Sequence, residues 1–146
     1  GHVRFVGFLQ YAQLPTYYGL ASVFVHPATT EQWGLVVNEA LAAGLPVLVS
    51  KACGCAEDLV RDGVNGFTFD PFDVEALARL MHRMSDGSLD LAAMGKESER
   101  IVSDFGPSAF ADGLNRAIEA ALEVASSRPA TRWDRTVIGI ASSVSR

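Results

Sequence analysis

The sequence is poor in cysteine: Cys53 and Cys55 are the only two in 146 residues. Two thiols one residue apart cannot build a disulfide framework, so an apolar core must hold the chain, and a cytoplasmic setting is expected. Positive charge is also scarce, with 12 Lys and Arg against 17 Asp and Glu and a formal net charge of −5. A nucleic-acid surface needs a clustered excess of cations to meet phosphates, which excludes that class of partner. No apolar run approaches the roughly 20 residues of a membrane span. The opening GHVRFVGF has no basic leader ahead of an apolar stretch and does not read as a signal peptide. Attachment of a full-length protein to the inner membrane face as a peripheral protein stays compatible with all this.

What is present suits a folded domain. Hydrophobic residues make up 49% of the chain and charged residues 20%, which excludes wholesale disorder. The length allows one compact domain with a real core. The chain opens at Gly1 and runs straight into an apolar, strand-like pattern, so a piece of a longer protein is expected.

In the first half, short β-branched runs alternate with helical patterns, the signature of βαβ units and a parallel sheet. Val3 to Phe8 reads as a strand, Leu14 to Leu20 as a short helix with Pro15 in its first turn, and Ser22 to His26 as the next strand. Leu35 to Ala43 reads as a helix closed by Gly44, Pro46 to Ser50 as a strand, Ala56 to Val60 as a short helix, and Gly66 to Phe69 as a strand after the DGVNG turn. The second half is helical. Asp73 is placed to cap a helix whose buried face runs through Val74, Leu77, Ala78, Met81 and Met84. Helices over Leu89 to Val102 and Pro107 to about Val124 follow, the last with Phe110, Leu114, Ile118 and Leu122 on one face, read as core. Residues 1–125 are therefore expected to form one domain and residues 126–146 a linker and tail, whose VIGIA run reads equally as an edge strand or a free end.

The segment EQWGLVVNEALAAGLPV carries the strongest chemical signal. Glu31 falls in the loop at the carboxyl end of a strand, where open α/β sheets hold ligands. Gly34 lets the backbone approach a bound group closely. The amides of Gly34, Leu35 and Val36 open a helix and offer a seat for phosphate. Glu39 follows just over one turn later, and a carboxylate accepts hydrogen bonds from sugar hydroxyls. Pattern alone leaves a plainer reading open, since Glu in a first turn also complements the helix dipole.

The order of motifs adds to this. GFLQYAQLPTYYGLASVFVHP, then EQWGLVVNEALAAGLPVLVS, then CGCAEDLVRDGVNGFTFDPFDVEALARLM, closely resembles the group-1 family of retaining glycosyltransferases with the GT-B fold, a resemblance that covers about residues 5 to 122. The resemblance implies an α/β, Rossmann-like parallel sheet flanked by helices, the C-terminal lobe of that fold with its first strands missing. It implies a donor-binding domain in residues 1–125 that uses a UDP- or GDP-type nucleotide sugar. The whole protein would pass a hexosyl group, with retention, to a carbohydrate or lipid-linked acceptor, as in polysaccharide biosynthesis.

By the same resemblance Glu39 holds the donor's ribose and Glu31 touches the hexose near its reacting carbon. The backbone of Trp33, Gly34, Leu35 and Val36 binds hexose and diphosphate, and the loop Phe8 to Leu14 lies against the base. No metal or other cofactor is implied; protein cations and the helix dipole neutralise the leaving diphosphate.

The sequence departs from the family pattern in two ways. An Arg and a Lys for the diphosphate, and the N-terminal acceptor domain, would lie before this chain, so the polypeptide alone is not expected to transfer sugar. CGC stands where the family often has paired glycines; two thiols are too few for a zinc site, and small residues filling a tight loop beside the donor are expected. His26 reads as a packed, hydrogen-bonded residue, Glu57 as complementing a short helix, Lys51 as a residue at a strand end for which a phosphate contact is only the minor reading, and the Trp33 side chain as either stacking on donor or packing the helix start. The alternatives are a nucleotide-sugar-binding module or fragment without activity, or a GT-B-shaped epimerase or phosphorylase. A phosphorylase would need a pyridoxal-binding lysine context, and none is evident.

Overall fold

The computed structural model describes residues 3–127. The chain divides into two compact units, Gly1–Phe105 and Gly106–Arg146. The first is built on a sheet of β1 (Phe24–His26), β2 (Val47–Ser50) and β3 (Gly66–Phe69), in that order and all parallel. Phe24 pairs with Val47, and Val47 with Gly66. All four residues of β2 are buried, as a central strand covered on both faces requires.

Alternation along β2 sorts its side chains into two cores. Val47 and Val49 pack with Val37, Ala40 and Leu41 of α2 (Leu35–Ala42), with Leu59 of α3 (Ala56–Leu59), and with Ile101 of α5 (Leu91–Ser103). Leu48 points the other way, to Phe67, Phe69, Met94 and Met84, the last from α4 (Val74–Ser85). Helices cover both faces, as the alternating pattern demands. The close approach of α5 to the end of α2 depends on Gly95, where a Cβ would collide with the Gly44 carbonyl. Beside it the buried Ser98 hydroxyl donates to the Leu45 carbonyl at 2.7 Å.

Local chemistry sets the element ends. Asp73 accepts from the Ala76 amide at 2.8 Å and Asp90 from the Ala93 amide at 2.9 Å, so α4 and α5 begin where their caps stand. The expected start at Leu89 therefore moves two residues along. Gly44, at φ +72°, turns the chain after α2 into the β2 approach.

Three expectations need correction. Val3 to Phe8 is not a strand: Gly7 sits at φ +71°, which breaks an extended run, and no described strand pairs with these residues. Val3, Phe5 and Phe8 are exposed. On α4 the face that meets the sheet runs through Leu77, Leu80 and Met84, one row round from the expected stripe; Val74, Ala78 and Met81 stay exposed. In the second unit, α6 (Pro107–Ser127) forms as a helix, but its Phe110, Leu114, Ile118 and Leu122 stripe is exposed rather than core. Ser126 and Ser127 belong to that helix; the rest of the expected linker and tail, including VIGIA, lies outside the described residues.

Candidate functional site

Helix α2 opens at Gly34, which takes φ +94° and ψ 63° and has no side chain to cap the helix. As the first helical residues, Leu35 and Val36 have no carbonyl one turn earlier to receive their amide protons. Their side chains are exposed, whereas Gly34 itself is buried. The end of a helix dipole adds partial positive charge there.

Two loops meet beneath this turn. The Glu31 amide donates to the Ala52 carbonyl at 3.3 Å, and the Gly54 amide to the Glu31 carbonyl at 3.0 Å. The Cys55 amide donates to the Trp33 carbonyl at 3.1 Å, and the Cys53 thiol to the same oxygen at 2.9 Å. Only glycine fits at 54, because a Cβ there would collide with the Gln32 carbonyl. The close approach at Gly54 is thus to the neighbouring loop of the protein itself. Cys53 and Cys55 are buried, with sulfurs 3.4 Å apart. Burial first, then the hydrogen bond to Cys53, pushes the Cys55 thiol up to about 12. The CGC run is a tightly packed loop, as its small residues suggest.

Glu31 is half-buried in this junction, its Cγ beside Gly34, and its carboxylate makes no hydrogen bond or ion pair among the described residues. The Trp33 indole donates to Asn38 Oδ1 at 2.9 Å and lies 6.2 Å from the Phe105 ring. That side chain packs the helix start.

Glu39 is on the flank of α2 that faces α1 (Leu14–Leu20). Between the two helices runs a groove of about 450 Å³, lined by Tyr11, Leu14, Pro15, Tyr18, Gly19, Glu39, Ala42 and Ala43. Its walls are mainly apolar, and Glu39 is the one carboxylate among the lining residues. The Tyr18 hydroxyl donates to Glu39 Oε2 at 3.0 Å. Burial, followed by the bond and charge of Glu39, raises the Tyr18 hydroxyl to about 12, which keeps it protonated.

The expected site residues therefore fall into two neighbouring groups on one helix. Glu31, Trp33, Gly34, Leu35 and Val36 gather at its start. Leu14 and Glu39 share the groove along its flank, five residues or about 7.5 Å of axis beyond Gly34. Phe8 is exposed and is not part of the groove wall; Glu31 is not part of it either.

Tyr11 and Tyr18 were not singled out from the sequence. The signal was available for Tyr18, since Leu14 and Tyr18 are four apart and share a helix face. Lys51 lies elsewhere, in a second groove of about 440 Å³ with Glu57, Asp62 and Thr68. Glu57 is in the first turn of α3, where its charge complements the dipole. His26 packs on Phe24, rings 6.2 Å apart and inclined 12°, but its buried Nε2 finds no hydrogen-bond partner among the described residues, against expectation. Among the described residues no group of three or more His, Cys, Asp and Glu is placed to hold a metal ion, and no helix is long and apolar enough to cross a membrane.

A doubly covered parallel sheet with a glycine-opened helix and a carboxylate-bearing groove at its flank defines an α/β protein of the Rossmann-like class. The model of the family "Glycosyl transferases group 1" matches residues 1–102, and the chain belongs to that family. It is 37% identical over 122 residues to the D-inositol 3-phosphate glycosyltransferase of Streptomyces avermitilis, covering 81% of this chain and 26% of that enzyme. Its fold is similar to that of sucrose-phosphate synthase from Thermosynechococcus elongatus, with a TM-score of 0.71 and 29% identity over 83% of this chain and 30% of that one. It is also similar to Anabaena HepE in complex with UDP-glucose, with a TM-score of 0.64 and 26% identity over 73% of this chain and 30% of that one. The chain spans 20% to 26% of the length of the first curated relatives it matches.

Proposed function

We propose that this chain is the donor-binding part of an enzyme that transfers a hexosyl group from a nucleoside diphosphate sugar to a carbohydrate or lipid-linked acceptor, with retention. The observation that carries the reading is Glu39, a single carboxylate in a mainly apolar groove, about one turn and a half along the helix whose first amides have no side-chain cap. An apolar wall suits the face of a base, and a carboxylate suits the paired hydroxyls of a ribose. The groove's size, about 450 Å³, falls within the usual range for small-molecule sites.

In this reading Glu39 accepts from the ribose hydroxyls, with Leu14 and Tyr11 against the base and the loop from Phe8 leading into them. The amides of Gly34, Leu35 and Val36, with the Trp33 backbone, receive the diphosphate and hexose. Glu31, beside them and unpaired, orients the hexose and meets positive charge developing at its anomeric carbon. The departing diphosphate is stabilised by amides and helix dipole without a bound metal. The solved complexes of Anabaena HepE with UDP and with UDP-glucose support a nucleotide-sugar donor here. We place the activity in the cytoplasm. The acceptor is held by a further domain of a longer protein, so the isolated chain binds donor but does not turn it over.

Calorimetric titration with UDP- and GDP-sugars tests the reading. The wild-type chain should bind one of the two series, and Glu39→Ala should weaken binding at least about 10-fold, the value of a hydrogen bond to a charged group. Equal affinity in Glu39→Ala would reject the ribose assignment, and sustained sugar transfer by the isolated chain would reject the need for a further domain.

A further inference from the structure

Glu39 has three side-chain torsions, and no cation lines the groove among the described residues. Among those residues the one group that fixes its carboxylate is Tyr18, whose hydroxyl donates to Oε2 at 3.0 Å. Tyr18 is itself held: it is half-buried in the core beneath α2, and its ring lies 5.9 Å from that of Phe24 on β1. A rigid aromatic on a neighbouring helix thus sets the rotation of an otherwise adjustable acid. The hydroxyl is protonated at neutral pH, so it donates and cannot repel the carboxylate.

We propose that Tyr18 is a positioning residue for donor binding: it fixes the Glu39 carboxylate so that its remaining lone pairs face the groove and accept from the two ribose hydroxyls. Each carboxylate oxygen has two acceptor sites. The bond from Tyr18 takes one of the four and leaves three, enough for a vicinal diol. This rests on the reading of Glu39 as the ribose ligand. It adds that the selectivity for ribose over deoxyribose is set from α1, by a residue that need not touch the sugar.

The hydroxyl can be removed without removing the ring. Affinities of wild type and Tyr18→Phe are measured for UDP and GDP and for their 2′,3′-dideoxy counterparts, with thermal melts to show both proteins folded. Wild type should prefer the ribonucleotide. Tyr18→Phe should bind it about 3- to 10-fold more weakly, the effect of freeing one ordered side chain, and should bind the dideoxy form as wild type does. In a Glu39→Ala background, Tyr18→Phe should change nothing further.

A wild type that prefers ribose together with a Tyr18→Phe protein that prefers it equally would overturn the positioning role and leave the Glu39 reading intact. So would a loss of affinity in Tyr18→Phe that is equal for ribo and dideoxy forms, the mark of a merely structural role. A wild type that does not distinguish the two nucleotides would overturn the Glu39 reading itself, and this inference with it.

Discussion

A side-chain carbon placed on Gly34 would lie 2.7 Å from the sulfur of Cys53 and 3.3 Å from Cγ of Glu31. The start of α2 is therefore packed closely against the thiol loop. The glycine is required twice, by this contact and by its φ of +94°.

Gly34→Ala should accordingly destabilise the protein by about 2–4 kcal/mol. The left-handed backbone contributes roughly 1–2 kcal/mol and overpacking against Cys53 most of the remainder. Urea unfolding would measure this. The companion variant Cys53→Ala/Gly34→Ala should recover part of the loss, since the first of the two contacts is then gone.

Glycines elsewhere should respond with different signs. Gly54→Ala forces a methyl into the Gln32 carbonyl and should cost at least about 3 kcal/mol, because backbone rather than a flexible side chain must move. Gly113, inside α6, meets nothing within 4 Å. Gly113→Ala should stabilise by up to about 1 kcal/mol through helix propensity. Midpoints of chemical unfolding for the two variants should move in opposite directions from wild type.

Asn65 is fully buried and spans its turn: its Oδ1 accepts from the Arg61 amide at 2.7 Å and its Nδ2 donates to the Leu59 carbonyl at 3.0 Å. Asn65→Ala strands both backbone groups inside the protein and should cost about 2–4 kcal/mol. Asn65→Asp restores only the acceptor, so it should remain well below wild type in the same unfolding experiment.

Alkaline pH should weaken the fold through two groups. Cys55 is raised from 9.0 to about 12 and Tyr18 from 10.0 to about 12, so the folded state holds both protons more tightly than the unfolded chain does. Their contribution is complete below pH 9 and is lost as pH climbs toward 12. Unfolding midpoints should fall across that window, and Tyr18→Phe should fall less steeply than wild type above pH 10. Both thiols are buried, so they should resist alkylation in the folded protein and react once it is unfolded in urea.

The site was legible in part. EQWGLVVNEALAAGLPV announced a glycine-opened helix with acids at its start and flank, because a helix start is a local event set by residues within one turn. The pairing of Glu39 with Tyr18 was not announced, because the two are 21 positions apart and meet only when α1 packs beside α2. The same limit applied to the thiol loop. Its small residues suggested tight packing, but that Gly54 makes room for Gln32 rather than for a ligand depends on two strand-end loops meeting.

The sequence by itself determined the elements, their caps and their order, since Asp73, Asp90, Gly44 and the β-branched runs act on their immediate neighbours. Tertiary structure alone decided which face of α4 is buried, whether Val3 to Phe8 pairs, and which side chains share a groove with Glu39. Those outcomes require partners remote in sequence. A strand needs another strand's hydrogen bonds, an apolar stripe is core only where something covers it, and a carboxylate is fixed only by what packs against it.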